Sequence, residues 1–129
     1  MRILVLNSRH DPDHWIDEQL ERLRASLEGH TVVASRDDFK ANIANLGNYE
    51  SWVNDVVHGV DYGSFQPRYD AFIVYGDSLG KANAAIVREA LRAQKPVLYM
   101  QRDGAEQVIG VREIDPKNYT SGWQVVVAL

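Results

Sequence analysis

The chain has 129 residues, 45% of them hydrophobic and 25% charged, the balance of one ordinary globular domain with no room for a second independent core. A formal charge of -4 and a pI near 5.5 argue against a nucleic-acid binder, whose affinity would come from clustered Lys and Arg on phosphates. The absence of cysteine excludes disulfides and thiolate chemistry, so any metal ligand would have to be His or a carboxylate.

In chain order, "ILVL" (Ile3 to Leu6) is a continuous apolar run of the kind that suits a strand covered on both faces. The polar "NSRHDPDHW" follows, in which Asp11 can cap a helix and Pro12 can occupy its first turn. That helix is predicted to run to about Glu28. Trp15, Ile16, Leu20, Leu23 and Leu27 form its apolar stripe, Asp17, Glu18, Glu21, Arg22 and Arg24 face water, and Gly29 ends it. "TVVAS" (Thr31 to Ser35) reads as a second strand, "RDDF" leaves it, and "NIANLGN" has helical character with a break at Gly47. A further helix is predicted from Asn48, burying Trp52, Val53, Val56 and Val57.

After His58, "GVDYGSFQPRYD" is the longest irregular connection, and its Tyr62, Phe65, Tyr69 and Arg68 could either stack on a base or anchor the loop to the core. Then "AFIVYGDSLGKANAAIVREALRAQKPVLYM" reads as a third strand (Ala71 to Tyr75), a helix near Gly80 to Ala93, and a fourth strand (Val97 to Met100) entered through Pro96. "EQVIGVREI" and "WQVVVAL" look like two more strands joined by "DPKNYTSG", a C-terminal β-hairpin. Strands alternating with amphipathic helices imply right-handed βαβ units, hence one three-layer α/β domain of Rossmann-like (flavodoxin-like) type. Its sheet should be mostly parallel and about five-stranded.

No segment reaches the roughly 20 apolar residues needed to cross a bilayer, and the N-terminal apolar run is too short for a signal sequence, so a cytoplasmic location is expected. In an open parallel sheet, ligands bind beyond the carboxyl ends of the strands, where helix N-termini present free N–H groups. That geometry selects "NSRHD", "SRDD", "YGDSLGKAN" and "QRDG" as candidate loops.

In "YGDSLGK", Gly76 and Gly80 permit close approach of a ligand, Ser78 can donate a hydrogen bond and Lys81 adds positive charge beside the helix amides. The plainer reading is a strand-to-helix corner capped by Asp77 or Ser78. The loop is neither a P-loop, since no Ser or Thr follows Lys81, nor a dinucleotide fingerprint. In the first loop, Asn7, Ser8 and Arg9 face the crevice and could bind a sugar or phosphate. His10 and His14 have helical pair spacing, but Pro12 between them argues against a metal site. Asp37 and Asp38 are placed either to accept from ribose hydroxyls or to cap a helix.

The polar "NSRH" after the first strand, the helix leading to "GHTVVAS", and the segment "YDAFIVYGDSLGKANAAIVREALRAQKPVLYM" together resemble the nucleoside 2-deoxyribosyltransferase-like group and the related SLOG-type Rossmannoid domains. The resemblance covers Met1 to about Met100. It implies a nucleoside or nucleotide held across the first and third βα corners, with no separate cofactor. The transferase pattern carries a nucleophilic Glu four residues after the loop glycine, where this chain has Ala84. What remains is Asp77, as a carboxylate stabilising an oxocarbenium-like sugar or as the base for a hydrolytic water.

The expected function is therefore nucleoside or nucleotide binding, with N-glycosidic hydrolysis as a candidate activity. Asn7, Ser8 and Arg9 would position sugar or phosphate, Asp37 the ribose, and Gly76, Ser78, Gly80 and Lys81 the phosphate. The alternative is a non-enzymatic regulator that presents the same loops to a protein partner. A terminal hairpin could also pair copies of the chain across a two-fold axis.

Overall fold

Alternation along the first strand divides the molecule into layers: Ile3 and Val5 are buried on one face of the sheet, Leu4 and Leu6 on the other. The computed structural model describes residues 1–7, 11–59, 68–75, 80–102 and 108–113. In chain order these form β1 (Arg2–Leu6), α1 (Asp13–Ser26), β2 (Thr31–Ala34), α2 (Ser35–Leu46), α3 (Tyr49–His58), β3 (Ala71–Tyr75), α4 (Lys81–Arg92), β4 (Val97–Arg102) and β5 (Val108–Glu113). The sheet order is β2-β1-β3-β4-β5, with the first four strands parallel and β5 antiparallel to β4. This is the doubly wound order in which the chain reverses direction between β1 and β3.

α1 covers one face, packing Trp15, Ile16, Leu20 and Leu23 against Ile3, Val5, Val32, Ala34, Ala71 and Ile73. On the other face α2, α3 and α4 enclose Leu4, Leu6, Phe72 and Val74 with Trp52, Val56, Val57, Ile86 and Val87. Fully burying side chains such as Leu4 or Phe72 contributes roughly 1.5–3 kcal/mol each. Both faces of the parallel strands are therefore covered, as their unbroken apolar runs require. β2 is an edge strand of four residues, and Arg24 of α1 donates from Nε (3.2 Å) and Nη2 (2.9 Å) to the Val32 carbonyl, occupying an acceptor that another strand could otherwise use.

Several local expectations shift by a residue or more. α1 has Pro12 as its N-cap, not Asp11, with the Pro12 carbonyl accepting from Trp15 and Ile16 N–H (3.1 Å each). It ends at Ser26, before Gly29 turns the chain with φ 89°. β2 passes into α2 without a loop, so Ser35, Arg36, Asp37 and Asp38 form a first helical turn. Asn48 is the N-cap of α3 and accepts from Ser51 N–H at 2.8 Å, after Gly47 has closed α2 in the left-handed region (φ 86°). β5 pairs with β4, and the expected hairpin partner "WQVVVAL" lies outside the described residues. Among the described residues, no helix is long and apolar enough to cross a membrane.

The second layer is held by a buried carboxylate. Asp38 Oδ1 accepts from Trp52 Nε1 (2.8 Å), Arg68 Nη2 (2.9 Å) and Asn42 Nδ2 (3.3 Å), and Oδ2 accepts from Arg68 Nη1 (2.7 Å) and the Tyr69 hydroxyl. Arg68 Nε also pairs with buried Asp55 of α3. The network thus ties α2, α3 and the entry to β3 together. Removing one partner of a buried pair strands the other, at a cost of about 3–5 kcal/mol. Asp38→Ala is expected to lower the urea unfolding free energy by about that amount, whereas Asp37→Ala, one residue away on the exposed side, should change it by less than about 1 kcal/mol.

Burial, followed by the bond to Asp38, raises the Tyr69 hydroxyl above its ordinary pKa of 10. Above about pH 10 the unfolded chain loses this proton while the folded chain keeps it, so stability falls as pH rises. Lys95, whose pKa burial lowers, gives a slope of opposite sign. Tyr69→Phe leaves Lys95 in place, so the difference between the two proteins isolates Tyr69. Urea midpoints measured from pH 8 to 11 should fall more steeply for the wild type than for Tyr69→Phe.

Candidate functional site

An open cleft of about 1560 Å³ starts at Asn7, beyond the carboxyl end of β1, and is bordered by the first turns of α1 and α2, by α4 from Lys81 to Arg92 and by one side of α3. Its position follows from topology: the reversal between β1 and β3 sends adjacent connections to opposite faces and leaves a crevice between them. The three helices that follow strands begin at Pro12, Ala34 and Gly80, none of which has a side chain able to accept from the first turn. α3 follows a helix instead, and its Asn48 side chain does cap it. Among the described residues, the N-cap residues of these three helices thus leave the first-turn amides without a side-chain acceptor of their own, at the end of the sheet where a ligand can meet them.

Asn7 is the first residue beyond β1 and is only 4% exposed, yet neither its Nδ2 nor its Oδ1 has a hydrogen-bond partner among the described residues. It lines the cleft beside Gly80, Lys81 and Asn83. Asn83 Nδ2 donates to the Asn7 backbone carbonyl at 2.9 Å, which fixes the first turn of α4 against the end of β1. An unpartnered buried amide costs on the order of 1–3 kcal/mol, and here it carries both a donor and an acceptor.

Gly80 has ordinary helix-entry dihedrals (φ -64°, ψ 165°), and a Cβ there would meet nothing within 4 Å. Strain does not require glycine at this position; its effect is to leave space beside the α4 amides. Lys81, exposed in the first turn of α4, and Lys40 of α2 both line the cleft without an ion-pair partner among the described residues. The other cleft cations are engaged. Arg36 donates to Asp13 (2.8 Å), Asp17 (2.8 Å) and Asp37 (3.1 Å), and Arg92 pairs with Glu89 (2.9 Å). The hydrogen bonds to Asp37 and Asp17, with a smaller one to Asp13, raise the Arg36 pKa further above its ordinary range and hold it charged.

Of the residues selected from sequence, the structure brings Asn7, Gly80 and Lys81 to one corner. Asp37 is half-exposed on the first turn of α2, bonded to its neighbour Arg36 and not among the cleft residues. Asp38, its alternative for a ribose, is buried and saturated by protein donors. Ser8, Arg9, Gly76, Asp77 and Ser78 lie outside the described residues, as do His10, Tyr62 and Phe65. Tyr69 is 1% exposed with its hydroxyl on Asp38, so it belongs to the core and cannot stack on a ligand. Among the described residues, no three His, Asp or Glu side chains converge as metal ligands.

Sequence reasoning missed the aromatic wall of the cleft. Phe39 of α2 and Tyr49 of α3 stack with centroids 5.4 Å apart and planes 12° from parallel. The available signal was an aromatic at the start of a helix, which is too common to single out.

A scan of protein-family models and a search of curated proteins both return no match to this chain.

An Asn side chain held unpartnered in a buried position opposes stability, and an apolar side chain of similar size removes the penalty. Asn7→Leu is expected to raise the urea unfolding free energy by roughly 1–2 kcal/mol. A decrease would mean that the amide has a structural partner.

Proposed function

We propose that the cleft binds a nucleoside or nucleotide, with its anionic or sugar end at the corner formed by Asn7 and the first turn of α4. The observation that carries this reading is the buried Asn7 side chain, without a hydrogen-bond partner among the described residues, beside a helix N-terminus whose N-cap Gly80 has no side chain to cap it. A ligand oxygen could accept from the α4 amides and from Asn7 Nδ2 while a ligand hydroxyl donates to Oδ1. Phosphates and sugars offer those groups together. Lys81 adds charge on the same turn, and the space at Gly80 lets the ligand approach the backbone.

The same corner suits N-glycosidic hydrolysis. Asp77 follows Tyr75 by two residues and precedes Gly80 by three, so its place in the chain is between β3 and α4. In this reading its carboxylate takes a proton from water as the water oxygen bonds to the anomeric carbon. The bond from that carbon to the base nitrogen breaks with its electron pair going to the nitrogen, and the proton taken by Asp77 passes to the departing base through solvent, so that water is the only co-reactant and the carboxylate is restored. With Ala84 at the position of the transferase nucleophile, no covalent sugar-enzyme step is included.

The binding reading is tested by thermal shift with nucleosides, nucleoside monophosphates and inorganic phosphate. Monophosphates are expected to raise Tm, Lys81→Ala to weaken them about tenfold or more, and Asn7→Leu to abolish the shift in a folded protein. No shift with any of them, or a shift unchanged in both variants, would falsify the site. Release of free base from the same compounds, followed by chromatography, tests hydrolysis separately; it should occur in the wild type and disappear in Asp77→Asn. Absence of release across pH 5–9 removes the hydrolytic step and leaves binding standing.

A further inference from the structure

Tyr49 is the first residue of α3 and is 60% exposed, while Met1 is the other large hydrophobic residue to stand in solvent among those described. Such exposure costs hydrophobic burial, and at a cleft wall it leaves a flat aromatic face available. Tyr49 stacks on Phe39, and Phe39 meets Trp52 edge-on at 5.2 Å and 81°. Trp52 is 2% exposed and anchored through Nε1 to Asp38. A sequence of packed rings thus runs from the buried network to the cleft wall, so the outer ring is held before any ligand arrives, which lowers the ordering cost of binding.

The platform also faces the right end of the molecule. His58, at the last turn of α3, pairs with Glu89 of α4 at 2.7 Å, and Lys95, just beyond α4, donates to the Val57 carbonyl. The carboxyl ends of α3 and α4 therefore lie together, and the two helices run side by side in the same direction. The Tyr49 end of α3 accordingly lies toward the Lys81 end of α4, along one continuous cleft.

From this geometry we infer that the Phe39–Tyr49 pair is the base subsite: Tyr49 takes a purine or pyrimidine ring by stacking while Asn7 and the α4 amides hold the phosphate or sugar. The inference rests on the nucleotide reading above and specifies how the base is recognised. Stacking tolerates any base because each has a π-face, so purines should bind more tightly than pyrimidines through larger overlap.

The test is calorimetric titration of the full chain with inorganic phosphate, ribose 5-phosphate, nucleosides and nucleoside 5′-monophosphates, in wild type, Tyr49→Ala and Tyr49→Trp. Monophosphates should bind more tightly than ribose 5-phosphate. Tyr49→Ala should weaken monophosphates and nucleosides by roughly 5- to 150-fold and leave ribose 5-phosphate unchanged, and Tyr49→Trp should restore binding. Equal loss for ribose 5-phosphate and monophosphates, no loss for either, or no preference for a base-bearing ligand overturns the base subsite. Binding of nucleosides that depends on Tyr49, with no binding of any phosphate, supports the platform and overturns only the anion corner. No binding by any of these compounds overturns both.

Discussion

The Asp38 carboxylate is the constraint on which the second helical layer depends. A buried charge is tolerable only when its acceptor sites are filled by donors, and filling them brings together residues remote in the chain: Asn42 on the same helix, Trp52 on the next, and Arg68 and Tyr69 at the entry to β3. Arg68 reaches Asp38 with both terminal nitrogens and Asp55 with its third, so one planar guanidinium joins two helices. A lysine, with a single nitrogen and no fork, could not make that set of bonds.

The consequence for the cleft is indirect but definite. α2 and α3 share the wall that carries Phe39 and Tyr49, and their relative placement is fixed from beneath by Trp52 and Asp38. The opposite wall is fixed differently, by the bond from Asn83 to the Asn7 carbonyl at the end of β1. Polar bonds within the fold thus set the shape of the cleft, while its own surface carries Lys40 and Lys81 without ion-pair partners among the described residues. Where α1 and α2 meet, Asp13, Asp17 and Asp37 surround Arg36 and engage its charge.

The layers were legible in the sequence because their signals are local. The apolar run Ile3 to Leu6, the stripe of Trp15, Ile16, Leu20 and Leu23, and the buried positions Trp52, Val53, Val56 and Val57 all follow from periodicity, and each is buried as expected. The bounds of β3 were legible for the same reason. What periodicity does not encode is pairing over long separations. Asp37 and Asp38 are indistinguishable as neighbouring acids at a strand end, yet one is half-exposed and the other is the most heavily bonded carboxylate described. Their difference is set by Trp52, Arg68 and Tyr69, 14 to 31 residues away. Likewise the aromatics of "DYGSFQPRYD" could either stack on a base or anchor the loop to the core; Tyr69 takes the anchoring role on Asp38, and the exposed ring at the cleft among the described residues is Tyr49, which no local signal singled out. At the third corner, Gly80 and Lys81 were legible because a glycine and a cation at a strand-to-helix turn carry their chemistry locally.

Asp38 and Asn7 are both buried polar residues, and the fold treats them differently. Asp38 is costly to desolvate and is repaid within the fold, so its identity is explained by packing and demands no ligand. Asn7 has the same burial and no such return among the described residues. A neutral amide without partners contributes nothing to the fold that a leucine would not supply better. Its position is at the reversal point of the sheet, against the first turn of α4, whose N-cap Gly80 has no side chain to cap it. Glycine and lysine can stand at any strand-to-helix corner; what sets this one apart is a buried hydrogen-bonding capacity that no described residue uses.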